Sequence, residues 1–398
     1  MAELVTIEEA LALVLRHVAA LPAEAVPLDE AAGRYLATPG RAATDLPPFP
    51  SSAMDGFAIR SADTPGTLNV VARIAAGRPA TRALVRGEAM GIATGGVVPE
   101  GADAVVPLEQ VVDLDNRVEI TAAIATGSNV RSRGGDIEAG AEVVPAGRLM
   151  GAPQLAALAA SGVAEVSCAR RPKVTILATG TELRRPGEVL RAGEIYESNG
   201  LMLEAALAAT GAVVERPDAV SDDEDAHRAA LVSGLSADVL VTSGGVSVGP
   251  HDLVRGLEKE IGVTEVFWGV AMRPGKPLSF GVRGSTLVFG LPGNPVSSLV
   301  GCELFVRPAI RALQGATHPE PQFEHGILGQ SLRRSPARDD LVRASIDFSA
   351  GSGAVLRPLL GQESHMIART AMADALIHVP RGDGEIEESS TVRYLRLS

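Results

Sequence analysis

Between Ala237 and Asp252 the chain reads ADVLVTSGGVSVGPHD, and this stretch carries the residue types a phosphate-handling site needs. Asp238-Val239-Leu240-Val241 is short, apolar and β-branched, the pattern of a strand buried on both faces. It runs into Thr242-Ser243-Gly244-Gly245, where the missing side chains let backbone N–H groups approach a ligand closely. Such amides, with the hydroxyls of Ser243 and Ser247, suit an anionic group. Asp252 adds a carboxylate a few residues on, and a carboxylate beside an anion site points to a bridging divalent cation, most naturally Mg²⁺. The two glycines alone would serve an ordinary strand-to-helix turn equally well.

More glycine-rich turns share the surrounding sequence. Arg273-Pro274-Gly275-Lys276-Pro277 follows the apolar run Val266 to Val270. Gly290-Leu291-Pro292-Gly293-Asn294-Pro295 follows Thr286 to Phe289 and opens an apolar-periodic stretch reaching about Leu313. Ahead of them, Lys173 to Ala178 leads into Thr179-Gly180-Thr181-Glu182-Leu183. Proline beside glycine stiffens a loop while leaving one position free for unusual dihedrals. The strand, helix, strand rhythm predicts one α/β domain over 171–318, a doubly wound parallel sheet with these loops at the carboxyl ends of its strands.

The remaining chain must frame that unit. Thr6-x-x-Glu9 reads as a capping box starting an amphipathic helix, followed by an extended piece to Asp45. Leu46-Pro47-Pro48-Phe49-Pro50 is a stiff opening to a β-rich segment over 46–128. Residues 129–170 return to a loop and a helix, Pro153 to Ser161, ending at Gly162. After His318-Pro319-Glu320-Pro321, residues 319–398 read as short strands and turns, a small barrel or sandwich.

Composition bounds the function. The 398 residues suffice for several domains, and a hydrophobic fraction of 46% is that of a globular protein. No apolar run reaches bilayer-spanning length, and Glu3, Glu8 and Glu9 argue against a signal peptide, so a cytoplasmic protein is expected. The net charge of −12 counts against nucleic-acid binding. Locally basic loops remain at Arg131 with Arg133 and at Arg273 with Lys276. Cys168 and Cys302 can supply neither a disulfide framework nor a zinc site, and are expected to be small buried hydrophobes. The histidines, among them His227, His251 and His365, show no paired ligand spacing.

The ordered set of motifs resembles the molybdopterin molybdenumtransferases, the family of MoeA-like proteins and the gephyrin E domain. The matching stretches are SAMDGFA at 52–58, ATGGVVPEGADAVVPLE at 93–109, NVRSRGGDI at 129–137, ATGTEL at 178–183, SNG at 198–200, SGGVSVGPHD at 243–252, RPGKP at 273–277 and GLPGNPVSS at 290–298. The resemblance implies an elongated first domain built from 1–45 and 129–170, with a β-rich domain, 46–128, inserted in it. It also implies a molybdopterin-binding α/β domain at 171–318 and a β-barrel-like domain at 319–398. The activity implied is Mg²⁺-dependent insertion of molybdate into adenylylated molybdopterin with release of AMP, by a homodimer whose sites lie between subunits. Transient contact with other cofactor-biosynthesis or acceptor proteins follows from that role.

The same resemblance assigns residues. Glu182 and Asp252, with Asp223 as a third, match the family's acidic, metal-holding positions. Lys276, with Arg273 and Ser297 or Ser298, is the expected oxyanion group, and Arg343 and Ser364 match further oxyanion contacts. Ser243, Gly244, Gly245, Ser247, Pro292 and Pro295 belong to the pterin-binding loops, the prolines shaping them. Asp55, Thr94 and Asp136 occupy positions that face the neighbouring subunit's site in the family. Two residues depart from its pattern: Thr181 stands where an acidic residue is common, and Arg273 where lysine is. Two alternatives stay open, a molybdopterin adenylyltransferase and a non-enzymatic pterin carrier or scaffold.

Overall fold

The computed structural model describes residues 4–75, 77–220, 223–245, 253–349 and 353–397. The capping box forms as the sequence predicts. Thr6 Oγ1 accepts the Glu9 N–H at 3.1 Å while Glu9 Oε2 accepts the Thr6 N–H at 2.8 Å, and the helix Ile7–Arg16 follows. Its apolar face, Ile7, Ala10 and Val14, packs into the core of the α/β unit beside Phe280 and Phe305. Val5 secures the approach, because its carbonyl accepts the Ala271 N–H at 2.8 Å.

Three short antiparallel ladders join the early chain to a distant stretch. Ala23–Pro27 pairs with Glu165–Ala169, Gly40–Arg41 with Glu142–Val144, and Ser51–Ser52 with Val130–Arg131. A small core of Val26, Leu36, Met150, Leu158 and Val166 fills the space around the first two. The helix Ala152–Ala160 caps that core, one residue from the expected bounds. Between the paired stretches a six-stranded sheet is ordered Ala104–Pro107, Gly56–Ile59, Glu88–Ile92, Gly66–Ile74, Arg117–Ile120 and Val112–Asp113.

The α/β unit holds a six-stranded sheet ordered Val213–Glu215, Lys173–Ala178, Val239–Ser243, Thr286–Leu291, Ser279–Arg283 and Thr264–Trp268. The first four strands are parallel, and the helices Asn199–Ala208 and Glu224–Gly234 carry the chain between the first three, as a parallel sheet requires. The last two run antiparallel, so the sheet is mixed at that edge. The cause is local. Arg283 pairs with Thr286 across the two residues Gly284-Ser285, and a two-residue loop leaves no room for a crossover. Gly284 takes φ +59°, the left-handed conformation such a turn favours. On one sheet face Phe267, Phe280 and Phe289 stack with centroids 5.8 and 4.9 Å apart. Helical chain from Pro295 to Leu313, interrupted by a π turn at Cys302–Val306, covers that face. Cys168 and Cys302 are free and buried, and burial pushes the Cys302 thiol pKa far up.

The last part is a closed barrel. Asp339–Asp347, Val355–Pro358, Phe323–Leu328, Thr391–Arg396 and Ala375–Val379 pair in that order, and Ala375–Val379 returns to Asp339–Asp347. Met272–Arg273 adds a parallel strand to the start of Asp339–Asp347, so the barrel grips a loop of the α/β unit. No helix among the described residues is long and apolar enough to cross a membrane.

The central strand is anchored at its start by charge. Asp238 accepts from Arg170 Nη1 at 2.7 Å, from Nη2 at 2.6 Å and from the Lys173 N–H at 2.8 Å. Partial burial alone would raise the Asp238 pKa, but the Arg170 and Lys173 hydrogen bonds outweigh it and hold it below the usual range. The folded-state value is therefore the lower one, so the stabilisation is complete above about pH 4 and is lost as pH falls through the folded value. Asp238→Asn should cost about 1–2 kcal/mol at neutral pH. Urea unfolding across a pH series should show the gap between mutant and parent closing in acid.

Candidate functional site

The strands Lys173–Ala178, Val239–Ser243 and Thr286–Leu291 end together, and their loops wall a cleft of about 690 Å³. The sequence-selected residues Glu182, Ser243, Gly244, Gly245, Pro292 and Pro295 all line it. Gly244 and Gly245 take φ +101° and +67°, and a Cβ on Gly245 would lie 2.5 Å from Val254 Cγ2. Only glycine fits there without displacement. The Gly244 N–H donates to the Leu291 carbonyl at 3.1 Å and is thus occupied within the fold. Gly245, Gly293 and Asn294 line the cleft and have no backbone N–H partner among the described residues, so these amides are open to a ligand.

Asn199, in the SNG stretch, fixes the spacing of the two loops. Its Nδ2 donates to Ser243 Oγ at 2.9 Å and to the Gly293 carbonyl at 2.8 Å. The motif was visible in the sequence, yet nothing in its spacing revealed a cross-link between loops far apart in the chain. The Glu182 carboxylate folds back over Gly180, its oxygens 2.5 and 2.8 Å from where a Cβ would sit, and Gly180 has φ +147°. It faces the cleft and forms no ion pair among the described residues. Asp223 stands outside the cleft lining. It caps the helix Glu224–Gly234, one carboxylate oxygen accepting the Ala226 N–H at 2.8 Å. Ser247 and Asp252 lie outside the described residues.

A second cavity, about 810 Å³, adjoins the cleft through Pro277, Pro292, Asn294 and His365. Here the expected parallel geometry gives way to a different route. The 273–277 loop precedes Ser279–Arg283, which runs against Thr286–Leu291, so its start lies beside the end of that neighbour, Ser279 opposite Gly290. Reversal of the strand thus delivers Lys276 to the same sheet edge as the parallel loops. Lys276, Arg333 and Arg338 line the cavity without an ion-pair partner among the described residues. Arg273 is paired with the buried Asp340, so its charge is balanced by the barrel. Ser297 and Ser364 also line the cavity, whereas the Ser298 hydroxyl donates to the Pro292 carbonyl. Asn294 Nδ2 meets Ser364 Oγ at 2.9 Å, and the Val296 N–H donates to the Ser364 carbonyl at 3.1 Å.

Arg343 has a different role from the oxyanion contact expected of it. Its side chain is 1% exposed, and Nη1 donates to the Met366 carbonyl at 2.7 Å and to Thr370 Oγ1 at 2.8 Å. Nη2 donates to the Gly361 carbonyl at 2.7 Å and to the Glu363 carbonyl at 3.2 Å. With both terminal nitrogens satisfied by the loop that carries Ser364, Arg343 shapes the cavity from behind. Nothing in the residues flanking Arg333 and Arg338 sets these cations apart from any surface arginine.

Asp55, Thr94 and Asp136 are exposed and line neither cavity. Asp55 Oδ1 accepts the Thr94 N–H at 2.7 Å, which joins two of them directly. Asp136 lies on the adjoining chain, where its N–H donates to the Leu46 carbonyl at 2.9 Å. Nearby, Arg133 Nε pairs with Asp45 at 2.5 Å.

A cleft with open backbone amides lies beside a cation-lined cavity walled by a barrel, in a chain whose relatives are known. Residues 5–162 match the MoeA N-terminal region (domain I and II), 175–312 a probable molybdopterin binding domain, and 325–397 the MoeA C-terminal region (domain IV). The chain is 35% identical to molybdopterin molybdenumtransferase 2 of Mycobacterium tuberculosis H37Rv over 389 residues, covering 94% of this chain and 95% of the relative. It is 31% identical to molybdopterin molybdenumtransferase of Staphylococcus aureus N315, covering 98% and 94%. The crystal structure of the molybdopterin biosynthesis moeA protein from Pyrococcus horikoshii superposes with a TM-score of 0.83 at 30% identity, covering 99% of each chain. The chain therefore belongs to the molybdopterin molybdenumtransferases, enzymes of molybdenum cofactor biosynthesis.

Arg343→Lys keeps the charge but loses the planar fork that reaches four acceptors at once. It should destabilise the protein by about 2–3 kcal/mol. Hydrogen exchange should accelerate chiefly in residues 359–370.

Proposed function

We propose that this protein inserts molybdate into adenylylated molybdopterin, releasing AMP in a Mg²⁺-dependent reaction. The observation that carries the reading is a cleft with open backbone amides that shares a wall with a cavity holding an unpaired lysine. Adenylylated molybdopterin is a phosphate-linked substrate, and molybdate is a dianion that must meet it. A chain of net charge −12 has no general attraction for either, so the positive groups must be concentrated where the anions react.

In this reading Gly245, Gly293 and Asn294 bind phosphate oxygens through backbone N–H groups, and Asn199 holds the two loops at the required separation. Lys276 holds molybdate, with the Ser297 and Ser364 hydroxyls orienting it. Arg273 stays with Asp340 and keeps the loop on the barrel. The free Glu182 carboxylate beside this cradle suits Mg²⁺, which takes few protein carboxylates together with substrate phosphate oxygens. Asp252 is proposed as its companion and Asp223, through its second oxygen, as a more distant contributor. Bound Mg²⁺ would neutralise charge developing on the phosphates as the link to AMP is hydrolysed.

The same proposal assigns 1–45 with 129–170, 46–128, 171–318 and 319–398 as four domains of a cytoplasmic homodimer. Asp55, Thr94 and Asp136, clear of both cavities in their own chain, would face the partner's site. Purified protein supplied with Mg²⁺ and adenylylated molybdopterin should release AMP in a molybdate-dependent manner and retain molybdenum in the pterin. Asp252→Ala should abolish the release while the melting temperature is unchanged. Lys276→Ala should raise the molybdate needed for half-maximal rate about ten- to a hundredfold, the cost of one charge-assisted contact. Binding of the adenylylated pterin without turnover would instead mark a carrier.

A further inference from the structure

A third cavity, about 860 Å³, opens where Tyr35 and residues 145–151 meet the helix Arg307–Leu313 of the α/β unit. It shares no lining residue with the cleft or with the cavity beside it. Its walls are set by backbone contact. Gly147, at φ +73°, has no room for a side chain, since a Cβ would lie 2.2 Å from Thr317 Oγ1. The Thr317 N–H donates to the Gly147 carbonyl at 3.2 Å, and the Gly33 N–H to the Met150 carbonyl at 2.9 Å.

The lining is cationic although the chain carries a net charge of −12. Arg148, Arg307, Arg311 and His318 line it, and among the described residues no Asp or Glu does. Glu303 balances Arg307, both of its carboxylate oxygens accepting from Nη1 at 2.7 Å. Arg148 and Arg311 form no ion pair among the described residues. Arg311 lies one helical turn beyond Arg307, so two like charges share a helix face. Burial, and then the Arg307 charge, pull the Arg311 pKa below its ordinary value. The Tyr35 phenol stands near the same charges: burial raises its pKa, and Arg311 and Arg307 pull it back.

We infer that this joint binds a diphosphate group, held by Arg148 from one side and Arg311 from the other. A guanidinium fork matches the paired oxygens of one phosphate, and two forks on separate elements match two linked phosphates. The Tyr35 hydroxyl adds a neutral donor. The volume is that of a small-molecule site, far more than a single phosphate fills. A diphosphate bound here ties the two parts of the chain together. Free pyrophosphate and a nucleoside diphosphate both carry this group.

The test is calorimetry on the full chain with inorganic pyrophosphate and ADP, comparing the parent with Arg148→Gln, Arg311→Gln and Lys276→Ala. Each arginine variant should weaken one pyrophosphate site about tenfold or more, the worth of one charge-assisted contact. Lys276→Ala should leave that site intact, which separates it from the cavity where molybdate is proposed to bind. Of the binding lost with the arginines, tighter ADP than pyrophosphate assigns the joint to a nucleoside diphosphate. ADP that is equal or weaker assigns it to pyrophosphate itself. A parent protein that binds neither probe overturns the inference, as does an unchanged isotherm in either folded arginine variant. Loss of all pyrophosphate binding in Lys276→Ala overturns it too, because the anion then occupies the other cavity. Arg148 is exposed, so Arg148→Gln decides the matter alone should Arg311→Gln fail to fold.

Discussion

Two turns in this protein approach each other backbone to backbone, and the site depends on that approach. A Cβ on Gly293 would lie 3.7 Å from Gly244 Cα, and a Cβ on Gly244 would lie 2.9 Å from Thr179 Oγ1. A side chain at Gly244 would press on Thr179 and force the ends of Lys173–Ala178 and Val239–Ser243 apart. With glycine there, three neighbouring strands of one sheet converge their loops at a separation set by backbone contact and by the two hydrogen bonds of Asn199. Free amides on both sides of the cleft then face one volume without relying on flexible side chains.

Charge is arranged around this neutral frame. Cations of the adjoining cavity come from different elements: Lys276 from the loop before Ser279–Arg283, Arg333 and Arg338 from the barrel. Arg273 is matched by Asp340, so the pair joins the α/β unit to the barrel with little net field. Lys276 has no such partner among the described residues. Proline on each side of Gly275-Lys276, with Met272–Arg273 locked into the barrel ladder, limits the freedom of that loop. Conformational entropy that would oppose ligand binding at such a loop is thus already lost in folding.

The parts legible in the sequence were those set by local chemistry. The capping box at Thr6 and Glu9, the buried strands at 173–178 and 239–243, and the glycine turns carry their signals within a few residues. Gly284-Ser285 carried one too, the two-residue hairpin that turns the last sheet edge antiparallel, but it was submerged in the surrounding α/β rhythm. Arg343 shows the opposite limit. A buried guanidinium and an oxyanion-binding guanidinium have the same sequence signature, and only the positions of four carbonyl and hydroxyl oxygens separate them. Asn199 shares that limit, since it joins loops assembled from residues distant in the chain.

The barrel is consequently part of the site as much as a terminal appendage. Its Asp339–Asp347 strand takes Met272–Arg273 as a neighbour, and its 359–370 loop is fastened to the helix start at Asn294 and Val296 through Ser364. Arg343 braces that loop from within the barrel. Two separate attachments fix the barrel's position against the α/β unit, where one would leave a hinge. Lys276 and Ser364, carried by different folding units but lining one cavity, can then keep a constant separation. Coupling of this kind explains why a small barrel follows the α/β unit so closely: the sheet edge supplies the loops, and the barrel makes one of them rigid.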